Sequence, residues 1–199
     1  MTFFTEHTLT VLIFLPLVAG LLAFFIPQED KKSLFIFGLN VALVEFVLSL
    51  ALWKNFTGQA SYEFVEVIPW IKSWNIFYRV GVDGVSLLLV LLTTFLMPLV
   101  FLASFSYIKE RVKEYIIALL FLQAGMIGVF CALDLFLFYV FWEVMLVPMY
   151  LIIGIWGGKD KIYATVKFFI YTMAGSLLML VGILALYFHA GKSFNFFDL

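Results

Sequence analysis

The chain has 199 residues, 65% of them hydrophobic and 13% charged, with a net charge of −1. An ordinary soluble domain carries about 25% charged residues, so this composition leaves no polar half that could form a separate water-soluble domain, and it offers no basic field for nucleic acid. A lone cysteine, Cys131, rules out an internal disulfide and CxxC-type metal sites, and no nucleotide-binding glycine loop, GxSxG or HExxH is present.

The natural unit is then the spanning helix, which needs about 20 apolar residues. The first apolar run covers 8–26. The preceding stretch, Met1 to Thr8, carries Glu6 but no Lys or Arg, and no small-residue cleavage site follows Ile26. The run therefore reads as a retained helix rather than a signal peptide, with Pro16 freeing a carbonyl inside it. The second run, 33–53, holds Glu45 on a face shared with Gly38, Ala42 and Ser49. Small residues of that kind mark helix–helix contact, so Glu45 reads first as a structural carboxylate and only secondarily as part of a charge path. A long connection, 54–82, carries the interfacial rings Tyr62, Trp70, Trp74 and Tyr78. Alternation in Tyr62 to Val67 and Ile76 to Val80 predicts a short β-hairpin on the outer surface.

The third run, 85–107, follows Asp83, which reads as its N-cap. Pro98 frees the carbonyl of Thr94, with hydroxyls nearby to answer it. The fourth and fifth runs, 115–132 and 133–156, nearly touch, so Ala132 to Asp134 must turn tightly, with Asp134 capping the fifth helix. Ala124, Gly128 and Ala132 recur every four positions, and Gly175 and Gly182 share a face of the sixth run, 164–189; both are packing signatures. His7 and His189 fall at membrane boundaries.

Basic residues alternate between loops. Lys31 and Lys32, then Lys109, Arg111 and Lys113, then Lys159 and Lys161 lie on one side. Lys54, Lys72, Arg79 and Lys192 lie on the other. The positive-inside rule places the short basic loops in the cytoplasm and both termini outside.

Glu143 lies near the centre of LDLFLFYVFWEVMLVPMYLIIGIW (133–156). A carboxylate at that depth costs about 2.5–3.5 kcal/mol on insertion scales, and such residues default to function. Helical spacing puts Tyr139 (i−4) and Tyr150 (i+7) on its stripe. Pro148 removes the hydrogen bond to the Val144 carbonyl, which then needs water or a side-chain donor. Carboxylate, tyrosines and freed carbonyl together predict a wet polar pocket. Burial favours the neutral form of an acid and a nearby cation favours the charged form, so a group held between the two suits a proton relay. Lys167, about a turn inside the sixth helix, either joins that charge chain or snorkels to the headgroups.

Three long stretches, GVDGVSLLLVLLTTFLMPLV (81–100), LFLFYVFWEVMLVPMYLIIGIWGG (135–158) and KIYATVKFFIYTMAGSLLML (161–180), strongly resemble the antiporter-like membrane subunits of respiratory complex I. The WE-x4-P-M-Y form around Trp142 to Tyr150 favours the subunit M (chain 4) branch. The resemblance implies an all-α polytopic fold of about fourteen helices with inverted repeats, of which this chain matches the first six. Residues 1–113 would be the N-terminal three helices with the outer loop 54–82, and 114–199 the opening three helices of the first repeat. It carries over a proton-relay role to Glu143 and, at the start of helix six, to Lys167. The family's lysine partner for Glu143 lies on a seventh helix beyond this chain, so the chain is expected to be a fragment or split-gene product, or else a partner chain is expected to supply the rest. NADH, FMN, iron–sulfur clusters and quinone are expected on other subunits, with no cofactor or metal in this chain. Expected partners are the other membrane subunits, including antiporter-like paralogues, and the lipid of a bacterial inner or mitochondrial inner membrane.

The implied function is a proton-translocating subunit of an NADH–quinone oxidoreductase, without redox chemistry of its own. The rivals are a subunit of a cation/proton antiporter or membrane-bound hydrogenase, and a non-catalytic membrane scaffold.

Overall fold

A computed structural model describes residues 7–189 and 191–198; Met1–Glu6, read above for signal-peptide features, and Ala190 and Leu199 lie outside the described residues. Among the described residues, six helices are long and apolar enough to cross a membrane. They are α1 (Thr8–Leu22, extended by a 3₁₀ turn Ala23–Phe25), α2 (Lys31–Asn55), α3 (Gly84–Tyr107), α4 (Val112–Cys131), α5 (Leu135–Trp156) and α6 (Lys161–His189). The predicted runs match them to within a few residues. Between α2 and α3 stand β1 (Glu63–Ile71) and β2 (Ile76–Val82), the predicted hairpin. The strands pair antiparallel, from Glu63 opposite Val82 to Ile71 opposite Ile76, with irregularities after Glu63 and after Pro69.

Helix ends follow the polar residues that the sequence marks. Asp83 accepts from the Ser86 amide at 2.7 Å, and the Ser86 hydroxyl accepts from the Asp83 amide, completing a capping box for α3. That amide holds the Asp83 carboxyl below the ordinary aspartate range. Asp134 accepts from the amides of Phe136 and Leu137 and so caps α5, as expected. It also accepts from the Phe77 amide of β2, which ties the hairpin to the α4–α5 turn. Burial nevertheless pushes the Asp134 carboxyl above its usual range.

One cap was not legible. Glu66 of β1 accepts from the amides of Leu9 and Thr10 and from the Thr10 hydroxyl, closing the start of α1 from 56 or 57 residues away. Tyr78 bonds the same hydroxyl at 2.9 Å; it therefore turns inward instead of standing at the interface with exposed Trp70 and Trp74.

Helix α4 is the centre of the bundle, packed against α1, α2, α3 and α5. Its apolar window is 61% buried, against 11% for α6. Gly128 makes this approach possible: a Cβ there would meet the Phe141 ring of α5 at 2.4 Å. Gly175 and Gly182 behave differently, since a Cβ on either meets nothing within 4 Å among the described residues. Ala132 lies past the end of α4, as its C-cap. At Pro98 the outcome also departs from expectation. The Thr93 and Thr94 hydroxyls bond carbonyls a turn earlier, Leu89 and Val90, so Thr94 answers its own preceding turn.

The two ends of the bundle are chemically distinct. At one, Lys31 donates to the Lys109 carbonyl, Lys113 to that of Phe24 and Trp156 to that of Glu110, drawing the basic loops together. The other end holds the hairpin, the 132–134 turn and the segment after α6. There Leu133 donates to the Arg79 carbonyl, and Leu135 to that of Phe194.

Candidate functional site

Glu143 falls in the third turn of α5, about 12 Å along the axis from Leu135 at ~1.5 Å per residue, in a helix long and apolar enough to cross a hydrocarbon core about 30 Å thick. It is half-buried. Its Oε1 is shielded from solvent and has no hydrogen-bond partner among the described residues. An unpaired buried polar atom is costly, and buried polar groups that remain unsatisfied call for an explanation such as function.

Tyr139 is the near neighbour. Its phenol interacts with the Glu143 carboxyl one turn on and with the Ser176 hydroxyl of α6. Ser176 is buried and bonds the Met173 carbonyl. The tyrosine's ring packs on the apolar cluster of Ile76, Ile183, Tyr187 and Phe194, which fixes its direction. Ser176 was missed in the sequence, where a hydroxyl beside Gly175 reads as a packing residue.

The other proposed pocket members disperse. Tyr150 is exposed and stacks edge-on to Phe169 of α6, centroids 5.4 Å apart. It lines a cleft with Gly154 and Thr165 toward the basic end. Pro148 is buried but turns to a cleft shared with Phe24, Glu114 and Phe121, of about 320 Å³. Lys167 is exposed, with Nζ 5.7 Å from the Tyr163 ring centre. Antiparallel packing sets Gly154 beside Thr165 and Tyr150 beside Phe169, so Lys167 is level with residues near 152. That leaves it about nine residues, or roughly 13 Å of helix, from the level of Glu143. The two charges are not in contact.

Glu45 has the deeper burial. It is 0% exposed, on the face with buried Gly38, Ala42 and Ser49, as the small-residue pattern implies. Gln123 of α4, also 0% exposed, donates from Nε2 to Glu45 Oε2. Gln123 was overlooked, although a lone amide in an apolar helix is a recognised interhelical contact. One turn along, Ser49 and Thr94 share a hydrogen bond at 2.7 Å.

The two carboxylates stand on opposite sides of α4. Gln123 points to α2, whereas Gly125 and Gly128 meet Met145 and Phe141 of α5. At ~100° per residue, Gln123 and Gly125 are about 200° apart. Among the described residues no three His, Cys, Asp or Glu side chains gather as a metal site.

Comparison with known proteins bears on this arrangement. A family model described as NADH-ubiquinone oxidoreductase chain 4, amino terminus, matches residues 9–129. A second, described as NADH:quinone oxidoreductase/Mrp antiporter, TM, matches residues 132–199. The chain belongs to the NADH-ubiquinone oxidoreductase chain 4 family. NADH-quinone oxidoreductase subunit M of Rhodobacter capsulatus is 48% identical over 94% of the chain. Chain 4 of Arabidopsis thaliana is 44% identical over 93%. The chain spans only 37% and 38% of the length of these two relatives. Among solved structures, respiratory complex I from Thermus thermophilus with bound NADH contains a chain with a TM-score of 0.82 and 26% identity, matched over 96% of this chain and 38% of that one. In this member of the chain 4 family, six membrane helices and a two-stranded sheet are thus the opening of the antiporter-like fold.

Proposed function

We propose that this chain forms the opening helices of a proton-translocating membrane subunit of an NADH–quinone oxidoreductase, with Glu143 as its proton-carrying carboxyl. The observation that carries the reading is the buried, unpartnered Oε1 of Glu143 within a spanning helix. A group left one partner short can accept a proton, or pair with a cation brought to it, without first breaking a strong bond. Tyr139 and Ser176 extend that polar line toward α6.

The resemblance supplies the cation as a lysine on a further helix. Redox chemistry on other subunits, which would hold the flavin, iron–sulfur clusters and quinone site, changes the charge of neighbouring membrane subunits. That alters the Glu143–lysine pairing and moves a proton. The work is about 2.3 kcal/mol per charge per 100 mV, within reach of one desolvated ion pair made or broken. Lys167, some distance away, serves as a later member of the charge line or as a headgroup anchor. The clustered basic loops face the cytoplasm or matrix, the hairpin faces the opposite side, and other membrane subunits are the partners.

Glu143→Gln in the full-length subunit of the assembled complex tests this. Proton pumping should fall by about a hundredfold or more, the scale of a lost acid–base group, with assembly intact. If pumping and coupled quinone reduction both persist unchanged, Glu143 is not the carrier. The rival role, a cation/proton antiporter subunit, shares the second family model's description. Copurifying flavin and iron–sulfur proteins favour the oxidoreductase; antiporter subunits alone favour the rival.

A further inference from the structure

Glu45 is outside the proposed relay, yet it is a carboxyl with no solvent exposure in the middle of a spanning helix. Its hydrogen-bond inventory is short. Gln123 donates once, to Oε2. Glu45 Oε1 and Gln123 Oε1 are both buried and both lack a partner. The nearest hydroxyls bond elsewhere: Thr94 bonds the Val90 and Leu91 carbonyls, and Ser49 the Phe46 carbonyl and Thr94 itself.

An ionised carboxyl only accepts. With Glu45 charged, therefore, two buried acceptors face a shortage of donors. Reversing the Gln123 amide does not help, because it sets two oxygens against each other. One added proton resolves both orientations. A protonated Glu45 donates to the amide oxygen while the amide nitrogen donates back, so the two side chains close a ring of two hydrogen bonds.

No cation offsets the alternative. Among the described residues the ion pairs are His7–Glu66 and Arg111–Glu114, and neither reaches Glu45. Helix α1 has no ionisable side chain, and α3 has only Tyr107 at its end. The remaining ionisable groups of α2 are Lys31, Lys32 and Lys54 near its ends. Those of α4 are Lys113, Glu114 and Tyr115 in its first turns and Cys131 at its last residue. Tyr115 bonds Ser104. A lone carboxylate in such surroundings is far costlier than its neutral acid.

We infer that Glu45 and Gln123 form a closed acid–amide pair that holds one proton permanently between α2 and α4, as a structural proton site apart from any transfer line. The pair joins two helices that otherwise meet through small and apolar residues, and α4 screens it from Glu143. Its proton is not exchanged during turnover, because among the described residues neither partner has a second hydrogen-bond partner to pass it to.

Glu45→Gln in the assembled membrane complex is the test. An amide–amide pair can close the same ring, so the variant should assemble and pump like the wild type. The wild-type-minus-variant infrared spectrum should show the C=O stretch of a protonated carboxylic acid, persisting from neutral to alkaline pH and slow to shift in D₂O. Loss of pumping in an assembled Glu45→Gln complex, or a difference spectrum showing ionised carboxylate bands, overturns the assignment. If Glu45→Gln fails to assemble, the exchanged pair Glu45→Gln with Gln123→Glu must restore assembly and the carboxylic band; failure of that double variant also overturns it. The infrared reading needs no turnover, so it stands or falls separately from the role of Glu143.

Discussion

Glu45 and Glu143 carry the same functional group into the same membrane, and their surroundings give them different chemistry. Each has a buried oxygen without a hydrogen-bond partner among the described residues, but Glu45 has an amide that can complete it, whereas Glu143 has a tyrosine. The depth of both was readable from the apolar runs, because desolvating a charge is independent of fold. Their partners were not readable: Gln123 is 78 residues from Glu45, and Ser176 lies on a different helix from Glu143. Asp83 is the opposite case, since its partner Ser86 is three residues away and the cap shows in the sequence. Asp83→Ala should cost about 1 kcal/mol at neutral pH. The Ser86 amide lowers the Asp83 carboxyl's pKa in the folded state, so the carboxylate contributes stability above the unfolded value near ~4. That contribution fades as pH falls through the folded value. Reversible unfolding in mixed micelles should show the wild-type and alanine proteins converging in acid; a constant gap would refute the ionic part of the cap.

At the scale of elements, helix limits followed from hydrophobic run length, and the hairpin from alternation between two turn-rich stretches. The clamp that seats the hairpin did not. Glu66 caps α1 through space, and Asp134 serves α5 and β2 at once. Asp134→Ala should loosen both, leaving the amides of Phe77, Phe136 and Leu137 without their acceptor. Asp134→Asn retains a capping oxygen and escapes the burial cost, so it should be the milder change. Proteolysis within 54–82 would rank the two, and equal sensitivity would count against the shared role. Gly128 shows how small residues acquire meaning only by contact. Gly128→Val should cost about 1–3 kcal/mol through overpacking against Phe141. Phe141→Ala should partly rescue it, a coupling readable from a double-mutant cycle.

For the whole molecule, loop charges divide the bundle into a basic end and a hairpin end, and the structure gathers each set as the alternation requires. A thiol label that cannot cross the membrane should reach Lys159→Cys and Ser61→Cys from opposite faces. Cys131 is fully buried and should stay silent. Labelling of both positions from one side would defeat the six-crossing topology.

The sequence by itself determined how many helices cross, where they start and stop, which loops share a side, and that two carboxyls lie within the apolar slab. These depend on hydropathy, capping and charge, all of which act over a few residues. Only the tertiary structure decided that α4 is the hub separating those carboxyls, that Glu45 has Gln123, that Tyr139 accompanies Glu143 while Tyr150 and Pro148 face other clefts, and that Lys167 stands about nine residues away. Helical periodicity gives the direction of a side chain around its own axis. Which neighbouring helix occupies that direction is set by close packing between distant segments, and no local pattern encodes it.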